Sequence, residues 1–284
     1  MLSGRAFPSR MRPKIHEFLK EDIGPGDITS ELVVPADAKA KGKLIAKGKG
    51  VVAGIEEAAQ AFAELGCAVS AKVRDGSPVE KGEVVLEVRG PARAILAGER
   101  LALNFVMRMS GIATLTHELV LKCRKVNPGV RIAATRKTTP GFREYEKKAV
   151  MLGGGDPHRM GLYDAVLIKD NHIRIAGGVQ EALRRAKRGS FTKKIEVEVE
   201  NRKDAITAAE MGADIIMLDN FKPEEVRTLA KELKRIHPDV VLEASGGIRP
   251  EDVEAYAQGA DIVSLGWLTH SVKSLDFSME IERA

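Results

Sequence analysis

The stretch GGGDPHRMGLYDAVLIKDNH at residues 153–172 sets the pattern for the whole chain. Its three leading glycines leave the backbone free to adopt positive φ or to approach a ligand closely. His158 and Arg159 follow, and an apolar run at 165–168 then has the composition of a buried strand that ends in Lys169. Charged residues at the carboxyl end of a buried strand are typical of an α/β active site, although every α/β protein also has polar loops after its strands.

The sequence on both sides of this stretch alternates between strand and helix patterns. The strand patterns lie at 131–135, 164–169, 194–200, 213–218, 239–244 and 261–265. The helix patterns lie at 142–151, 178–188, 202–211, 223–236 and 250–258. Because such alternation builds a parallel sheet through crossover connections, this part of the chain is predicted to be α/β, with a sheet that is open or closed into a barrel.

A different pattern precedes residue 113. The expected elements are a helix at 13–21, strands at 40–54, an amphipathic helix at 55–65, two strands at 67–89, and two or three helices at 91–126 with breaks at Gly98 and Gly111. Together they predict a small α+β domain with an antiparallel sheet.

The two patterns divide the chain into domains. We expect a disordered leader at 1–12, an N-terminal domain at 13–112 and a catalytic domain at 113–269, with 270–284 as a candidate to pack back on the N-terminal domain. The first ten residues lack the apolar centre of a signal peptide, and no apolar stretch approaches the length that spans a membrane. Cys67 and Cys123 stand in no metal-ligand spacing, so we expect buried thiols and a cytoplasmic location.

Composition narrows the range of partners. The 284 residues carry a formal net charge of +5, and aromatic residues make up 4% of the chain. This is too few aromatic residues for base-stacking surfaces, and an anionic small molecule explains the excess positive charge equally well. We therefore expect small-molecule substrates and neither a nucleic acid nor a membrane as partner.

Polar residues or glycines follow most of the strand patterns. They are Arg136 and Lys137, then Lys169 and Asp170, Asp219 and Asn220, Ser245, Gly246 and Gly247, and finally Gly266. Since the carboxyl ends of parallel strands share one face, these residues should converge there. The turn before the helix whose first turn would hold residues 250–252 favours a phosphate site, although tight turns without a ligand have the same composition.

Carboxylates at this face are the candidates for a metal site. Glu198 and Asp219 could hold Mg²⁺ or ribose hydroxyls, since carboxylates and substrate phosphates are its usual ligands. The row of Glu196, Glu198 and Glu200 also fits a solvated strand face, but inside a barrel an unpaired carboxylate is costly. Among the histidines, His158 has the neighbours best suited to anion binding.

Two other groups of charged residues are interpreted as surface positions. They are His16, His117 and His237 and, on the helix at 142–151, Arg143, Lys147 and Lys148. These residues are expected to face solvent and are not assigned to the site.

The chain also carries seven motifs in a fixed order. They are ERLALNFVMRMSGIAT (99–114), ATRKTTPG (134–141), GGGDPHRMGLYDAVLIKDNH (153–172), EVEVEN (196–201), LDN (218–220), EASGGI (243–248) and SLGWLTHS (264–271). They closely resemble the quinolinate phosphoribosyltransferases, also called nicotinate-nucleotide pyrophosphorylases (carboxylating). The match runs from about Ile15 to Phe277, and several motifs are too long for a chance similarity.

This resemblance implies a fold, a reaction and an assembly. The fold is an N-terminal α/β sandwich followed by an incomplete α/β barrel, and the assembly is a homodimer or a multiple of dimers with shared active sites. The reaction joins quinolinate to phosphoribosyl pyrophosphate and yields nicotinate mononucleotide, pyrophosphate and CO₂ for NAD biosynthesis. Mg²⁺ is the implied cofactor.

The resemblance also implies roles for individual residues. Quinolinate would be bound by Arg100, Thr135, Arg136, Lys137, His158, Arg159 and Lys169. Catalysis would involve Lys137, Glu198 and Asp219, the two carboxylates also serving the ribose and Mg²⁺. The phosphate of phosphoribosyl pyrophosphate would be bound by Ser245, Gly246, Gly247, Leu265, Gly266 and Trp267, where the indole of Trp267 is bulkier than expected beside a phosphate.

Three alternatives stay open. A paralogous phosphoribosyltransferase, such as the relative from molybdenum operons, would use another pyridine or aromatic acid. A non-catalytic phosphometabolite-binding protein would lack Glu198 or Asp219, and both are present. The segment VRDGSPVEKGEVVLEV at 73–88 is spaced like a biotinyl or lipoyl carrier hairpin, but the modifiable lysine of such a hairpin has no convincing equivalent.

Overall fold

The computed structural model describes residues 12–189 and 191–284. The expected leader lies outside the described residues, except for Arg12, which begins the first helix instead. The chain divides into two compact units: one holds the described residues up to Thr114 together with Lys273–Ala284, and the other is Leu115–Val272. None of the helices in the described residues combines the length and the apolar character needed to cross a membrane.

Helices and strands follow one another along both units. The helices are α1 (Arg12–Ile23), α2 (Ile28–Val33), α3 (Ile55–Glu64), α4 (Ala92–Arg124), α5 (Arg143–Leu152), α6 (Asp170–Ala176), α7 (Val179–Gly189), α8 (Arg202–Glu210), α9 (Pro223–Ile236), α10 (Val253–Ala257) and α11 (Trp267–His270). The strands are β1 (Lys39–Ala46), β2 (Gly50–Val51), β3 (Ala68–Ala71), β4 (Pro78–Val79), β5 (Val84–Pro91), β6 (Arg131–Ala133), β7 (Val166–Ile168), β8 (Ile195–Val199), β9 (Ile215–Asp219), β10 (Val241–Ser245), β11 (Ile262–Ser264) and β12 (Phe277–Arg283).

The first unit is built on an antiparallel sheet in the order β12-β1-β5-β3. Strand β1 pairs with β5 on one side and with β12 on the other, where Ala46 lies opposite Phe277. Leu44 and Leu86 of the sheet share a buried core with Phe62 of α3. The last strand of the chain is therefore a structural part of the N-terminal sheet.

Helix α4 runs without interruption, so the breaks expected at Gly98 and Gly111 are wrong. A Cβ atom at Gly98 would lie 2.9 Å from side-chain carbons of Phe62 and Leu65. A Cβ at Gly111 would lie 2.4 Å from the backbone oxygen of Lys273. The two glycines therefore permit close packing against the helix. The rest of this long helix is stable enough to include two residues of weak helix propensity.

The second unit contains six parallel strands in the order β6-β11-β10-β9-β8-β7. Leu183, Ala208 and Leu229, from α7, α8 and α9, are buried in one apolar core with the sheet. Within the described residues, β6 and β7 form the two ends of the sheet and do not pair with each other. Together with the antiparallel sheet of the first unit, this confirms the predicted fold class, an α/β sandwich followed by an incomplete α/β barrel.

The register of the parallel sheet brings the carboxyl ends of its strands to one level. Asp219 at the end of β9 lies opposite Ser245 at the end of β10. Ser264 at the end of β11 lies opposite Ala133 at the end of β6. Side chains that follow these strands therefore face the same region, as parallel pairing requires.

Candidate active site

A cleft of about 410 Å³ opens at the carboxyl ends of the parallel strands. The residues predicted from sequence that line it are Thr135, Arg136, Lys137, His158, Arg159, Lys169, Glu198, Asp219, Ser245 and Gly246. Ala134, Leu167, Met217, Glu243 and Ser264 complete the lining. Convergence of the strand ends, which the sequence pattern predicts, thus brings together ten residues from five strands and their loops.

A second cleft of about 370 Å³ shares Arg136, Arg159, Leu167 and Lys169 with the first. Its other described lining residues are Leu162, Tyr163, Ala165, Val166, His172 and Lys193. None of these lining residues is acidic, whereas the first cleft contains three carboxylates. The two clefts therefore differ in electrostatic character: one is cationic and suits an anion, and the other combines both signs of charge.

Arg136 and Arg159 carry unused hydrogen-bonding capacity where the clefts meet. The Nε atom of each is buried without a hydrogen-bond partner in the described part of the chain. Arg159 is 8% exposed, and its burial, together with the nearby charge of Arg136, lowers the pKa of its guanidinium. A buried donor without a partner is costly, so this pair is prepared for an acceptor that arrives with a ligand.

Glu198 and Asp219 are neighbouring carboxylates in the first cleft. Burial and then the negative charge of Glu198 raise the pKa of Asp219 above its ordinary value. Lys169 donates a hydrogen bond to Glu198 and offsets part of this charge. Asp219 in turn accepts a 2.7 Å hydrogen bond from the side-chain amide of Asn220. The donor set is rich in carboxylate oxygen and suits a hard cation such as Mg²⁺.

The strand KIEVEVE turns two of its glutamates inward. Glu196 and Glu198 are 2% and 9% exposed, whereas Glu200 lies beyond the end of β8 and is exposed. A solvated face is therefore excluded for the first two glutamates. Burial and then the charge of Glu243 raise the pKa of Glu196 to about 8.

A buried cluster forms between His158, Glu196 and Glu243. His158 Nε2 lies 3.1 Å from Glu243 Oε2 and 3.4 Å from Glu196 Oε2. Burial lowers the pKa of His158, but the hydrogen bond and charge of Glu243 and the charge of Glu196 outweigh it, so its pKa is raised overall. The donor atoms are close enough to hold a metal, all within 4.8 Å, yet His158 and Arg159 already supply positive charge to them.

Glu243 is a site residue that the sequence analysis missed. It is wholly buried in the middle of β10 and belongs to the motif EASGGI, in which only the serine and the glycines are predicted to bind a ligand. A carboxylate inside an otherwise apolar strand is itself a signal, because such a group is retained only with a partner. Here that partner is the imidazole of His158.

The backbone at His158 has an unusual conformation. Its φ is +52°, in the left-handed region, which costs a residue other than glycine about 1–3 kcal/mol. Its N–H donates a 2.7 Å hydrogen bond to Asp156 Oδ1, which helps to hold the turn. The turn directs the imidazole toward the carboxylates and places Arg159 next to it in the clefts.

Lysines on α5 do not face solvent, so the interpretation of Lys147 and Lys148 as surface residues is wrong. They are 0% and 3% exposed. Arg143 is half-buried and donates hydrogen bonds to Thr138 Oγ1 at 2.9 Å and to the backbone oxygen of Met160 at 3.3 Å. Loop carbonyl groups accept hydrogen bonds from this charged helix face, which helical periodicity alone does not reveal. Of the three histidines expected at the surface, His16 and His117 are exposed, as predicted, and His237 is half-buried.

The two glycines of the turn after β10 adopt positive φ, as a tight turn requires. Gly246 and Gly247 have φ of +83° and +58°, and a Cβ on Gly246 would lie 2.6 Å from Asp219 Oδ1. The helix expected to start at residue 250 begins only at Val253 and has five residues. Residues 250–252 therefore precede the helix, so any phosphate site here depends on the backbone of the turn.

Four of the residues assigned to phosphate are not part of the described lining of either cleft: Gly247, Leu265, Gly266 and Trp267. Trp267 Nε1 donates a 2.9 Å hydrogen bond to the backbone oxygen of Ile248 and so holds the glycine turn in place. A Cβ on Gly266 would lie 2.9 Å from Lys137 Cδ, so Gly266 gives the lysine room. Arg100 is exposed on α4 in the first unit, whereas the lining residues of both clefts belong to the second.

Comparison with known proteins is consistent with this geometry. Residues 27–110 match the family model "Quinolinate phosphoribosyl transferase, N-terminal domain", and residues 112–280 match the corresponding C-terminal domain. The "Probable nicotinate-nucleotide pyrophosphorylase [carboxylating]" of Methanothermobacter thermautotrophicus is 46% identical over 94% of this chain and 97% of its own. The human nicotinate-nucleotide pyrophosphorylase [carboxylating] is 41% identical over 96% of this chain and 92% of its own.

A solved structure shares the fold over nearly the whole chain. The nicotinate-nucleotide pyrophosphorylase of Francisella tularensis has a TM-score of 0.91 and 36% sequence identity, and the match covers 98% of both chains. Both family models together span most of the described residues. The chain therefore belongs to the quinolinate phosphoribosyltransferase family.

Proposed function

We propose that the protein transfers the phosphoribosyl group of phosphoribosyl pyrophosphate to quinolinate, with loss of CO₂, and so forms nicotinate mononucleotide and pyrophosphate for NAD biosynthesis. The observation that carries the proposal is the pair of buried Nε donors of Arg136 and Arg159, which have no partner in the described residues. Quinolinate brings two adjacent carboxylates, and the guanidinium fork is the side-chain group best matched to a carboxylate.

The chemistry requires charge and orientation more than an activated nucleophile. The pyridine nitrogen attacks C1′ of the ribose, and the bond from C1′ to pyrophosphate breaks with its electron pair on the leaving oxygen. The bond from C2 to its carboxylate then breaks, and its electrons pass toward the positively charged ring nitrogen. CO₂ leaves, and C2 takes up a proton. Residues that hold both substrates in line therefore supply much of the rate.

Several charged groups of the clefts have a proposed part in this sequence. Arg136, Arg159 and His158 orient the quinolinate carboxylates, and Lys137 contacts both substrates. Glu198 would stabilise positive charge that develops on the ribose. The backbone of the turn at Gly246 holds the phosphate of the ribose.

Mg²⁺ is the proposed cofactor, and Glu198 and Asp219 would hold it, largely through the substrate. Their fit to a cation rests on their mutual repulsion, which contributes to the raised pKa of Asp219 and which a cation would relieve. Bound there, the ion would neutralise charge on the departing pyrophosphate.

We also propose a cytoplasmic homodimer, or a multiple of dimers, with active sites shared between subunits. Arg100 supports this, because it belongs to the first unit and the resemblance assigns it to quinolinate. The two free cysteines, both buried, are consistent with a reducing compartment.

The acceptor is tested by incubating the protein with phosphoribosyl pyrophosphate, Mg²⁺ and either quinolinate or nicotinate, with the product identified by mass. We expect turnover with quinolinate and little with nicotinate, because one carboxylate leaves part of the cationic cleft without a counter-charge. Equal or faster turnover with nicotinate would contradict the assignment, and turnover only with another aromatic acid would favour the paralogous transferase. Binding without turnover of any acceptor would favour a phosphometabolite-binding protein.

Replacing Arg136 with lysine should lower kcat/KM about 100-fold although the charge is kept. Lysine is a point charge and cannot form the bidentate pair of a guanidinium with a carboxylate. Steady-state kinetics with quinolinate check the effect, and Arg131→Lys is the matched control, since Arg131 lies earlier on β6 with a largely exposed side chain. Near-normal efficiency of Arg136→Lys would mean that Arg136 acts only as a point charge or lies outside the reaction.

A further inference from the structure

Lys147 is a fully buried cation that no substrate role accounts for. Its side chain, 0% exposed, extends from α5 beneath the turn that carries His158 and Arg159. Its Nζ donates one hydrogen bond to the backbone oxygen of Pro157 and another, at 2.6 Å, to the backbone oxygen of Arg159. The ammonium group therefore binds the chain on both sides of His158.

The segment that Lys147 holds is one that needs support. His158 has a φ of +52°, a conformation that a side chain other than glycine adopts only when its surroundings impose it. The two carbonyl groups on either side converge on the same ammonium group. A change in either peptide plane would rotate the imidazole away from Glu243 and shift the guanidinium of Arg159, which is the next residue in the chain.

Burying the charge of an ammonium group costs more desolvation free energy than burying a neutral donor. Burial, with the positive charge of Arg143, lowers the pKa of Lys147 to about 8. The ammonium group still offers three N–H donors on a long stem, which a neutral side chain of similar shape does not. Its charge also adds to the positive potential around the clefts.

We propose that Lys147 is a positioning residue, which fixes the turn at 157–159 so that His158 and Arg159 present their side chains to the acceptor. The proposal rests on the proposed function, because quinolinate is the acceptor it concerns. Lys147 itself does not line either cleft in the described residues. Its effect on the substrate is therefore transmitted through the backbone that it holds.

The test compares Lys147→Met with a matched control. Methionine keeps much of the length of the side chain and removes every donor. Val150→Ala is the control, because Val150 is buried on the same helix and its truncation loosens α5 without touching the turn's polar contacts. Calorimetry measures quinolinate binding without the second substrate, and steady-state kinetics measure KM for both substrates. Thermal unfolding reports stability.

We expect Lys147→Met to weaken quinolinate binding tenfold or more, with KM for phosphoribosyl pyrophosphate changed less than threefold. The control should lose thermal stability and keep both constants. Equal changes for both substrates in Lys147→Met, or the same quinolinate loss in Val150→Ala, would overturn the proposal, as would unchanged quinolinate binding. Should methionine prevent folding, Lys147→Gln places its donor group one bond closer to the backbone, too short to hold both carbonyl groups, and is judged by the same ratio of effects. The reaction of the wild-type protein separates the positioning role of Lys147 from the proposed function. If the wild-type protein does not turn over quinolinate, the proposed function itself is wrong.

Discussion

Glu198→Ala and Asp219→Ala should each lower kcat by about 100- to 1000-fold and leave the affinity for quinolinate within about threefold of wild type. The reason is that the charges these carboxylates are proposed to stabilise, on the ribose and the departing pyrophosphate, develop during the reaction. Interactions made mainly in the transition state are lost from turnover rather than from substrate binding. Stopped assays at saturating substrates give kcat, and calorimetry with quinolinate alone gives the affinity.

Glu200→Ala is the matched control for this pair of variants. Glu200 comes two residues after Glu198 but is exposed beyond the end of β8, so its removal should leave kcat near normal. Glu198→Ala also removes the carboxylate that pairs with Lys169 and leaves this lysine free to bind the acceptor. The affinity for quinolinate should therefore not fall in this variant. A collapse of quinolinate affinity in either variant would assign the carboxylate to acceptor binding instead.

Arg100→Ala and Lys137→Ala should each be nearly inactive alone, and a mixture of the two should recover about a quarter of wild-type activity. The expectation follows from the proposed isologous dimer, in which each site takes Arg100 from one subunit and Lys137 from the other. Random exchange makes half of the dimers mixed. Each mixed dimer has one site with both residues intact and one with both missing.

The complementation experiment needs a direct count of mixed dimers. Native mass spectrometry with one variant carrying a mass label supplies it, and each variant exchanged with itself is the control that must stay inactive. Mixed dimers without recovered activity would place Arg100 in its own subunit's site or outside any site. Recovery in proportion to the mixed dimers would establish the shared site.

Strand ends are where sequence reasoning works best in this chain. Parallel pairing requires that residues after each strand share a face, and so the sequence alone predicts that Arg136, Lys169 and Asp219 lie together. Their convergence in one cleft follows from the sheet alone. The sheet does not determine the role of each residue, because a role depends on where the substrate binds. The roles assigned to these residues stay predictions.

Buried polar groups are where the same reasoning fails. Lys147 stands on a helix with many charged neighbours, and its burial depends on carbonyl groups ten and twelve residues further along the chain. Glycine is typical of a helix break, but Gly98 and Gly111 lie inside a continuous helix. Glycine is needed there because Phe62 and Lys273 approach the helix too closely for a Cβ atom. Periodicity records which face of an element is apolar, and it carries no information about partners that are distant in sequence.

Pairing of the final strand, β12, with β1 has a consequence for how the protein is made. The sheet of the first unit lacks one of its edge strands until residues 277–283 have left the ribosome, whereas every residue of the second unit is synthesised before them. During that interval β1 presents unpaired N–H and C=O groups, a template for joining the wrong strand or another nascent chain. The order of translation thus allows the second unit to fold before the antiparallel sheet of the first unit is complete.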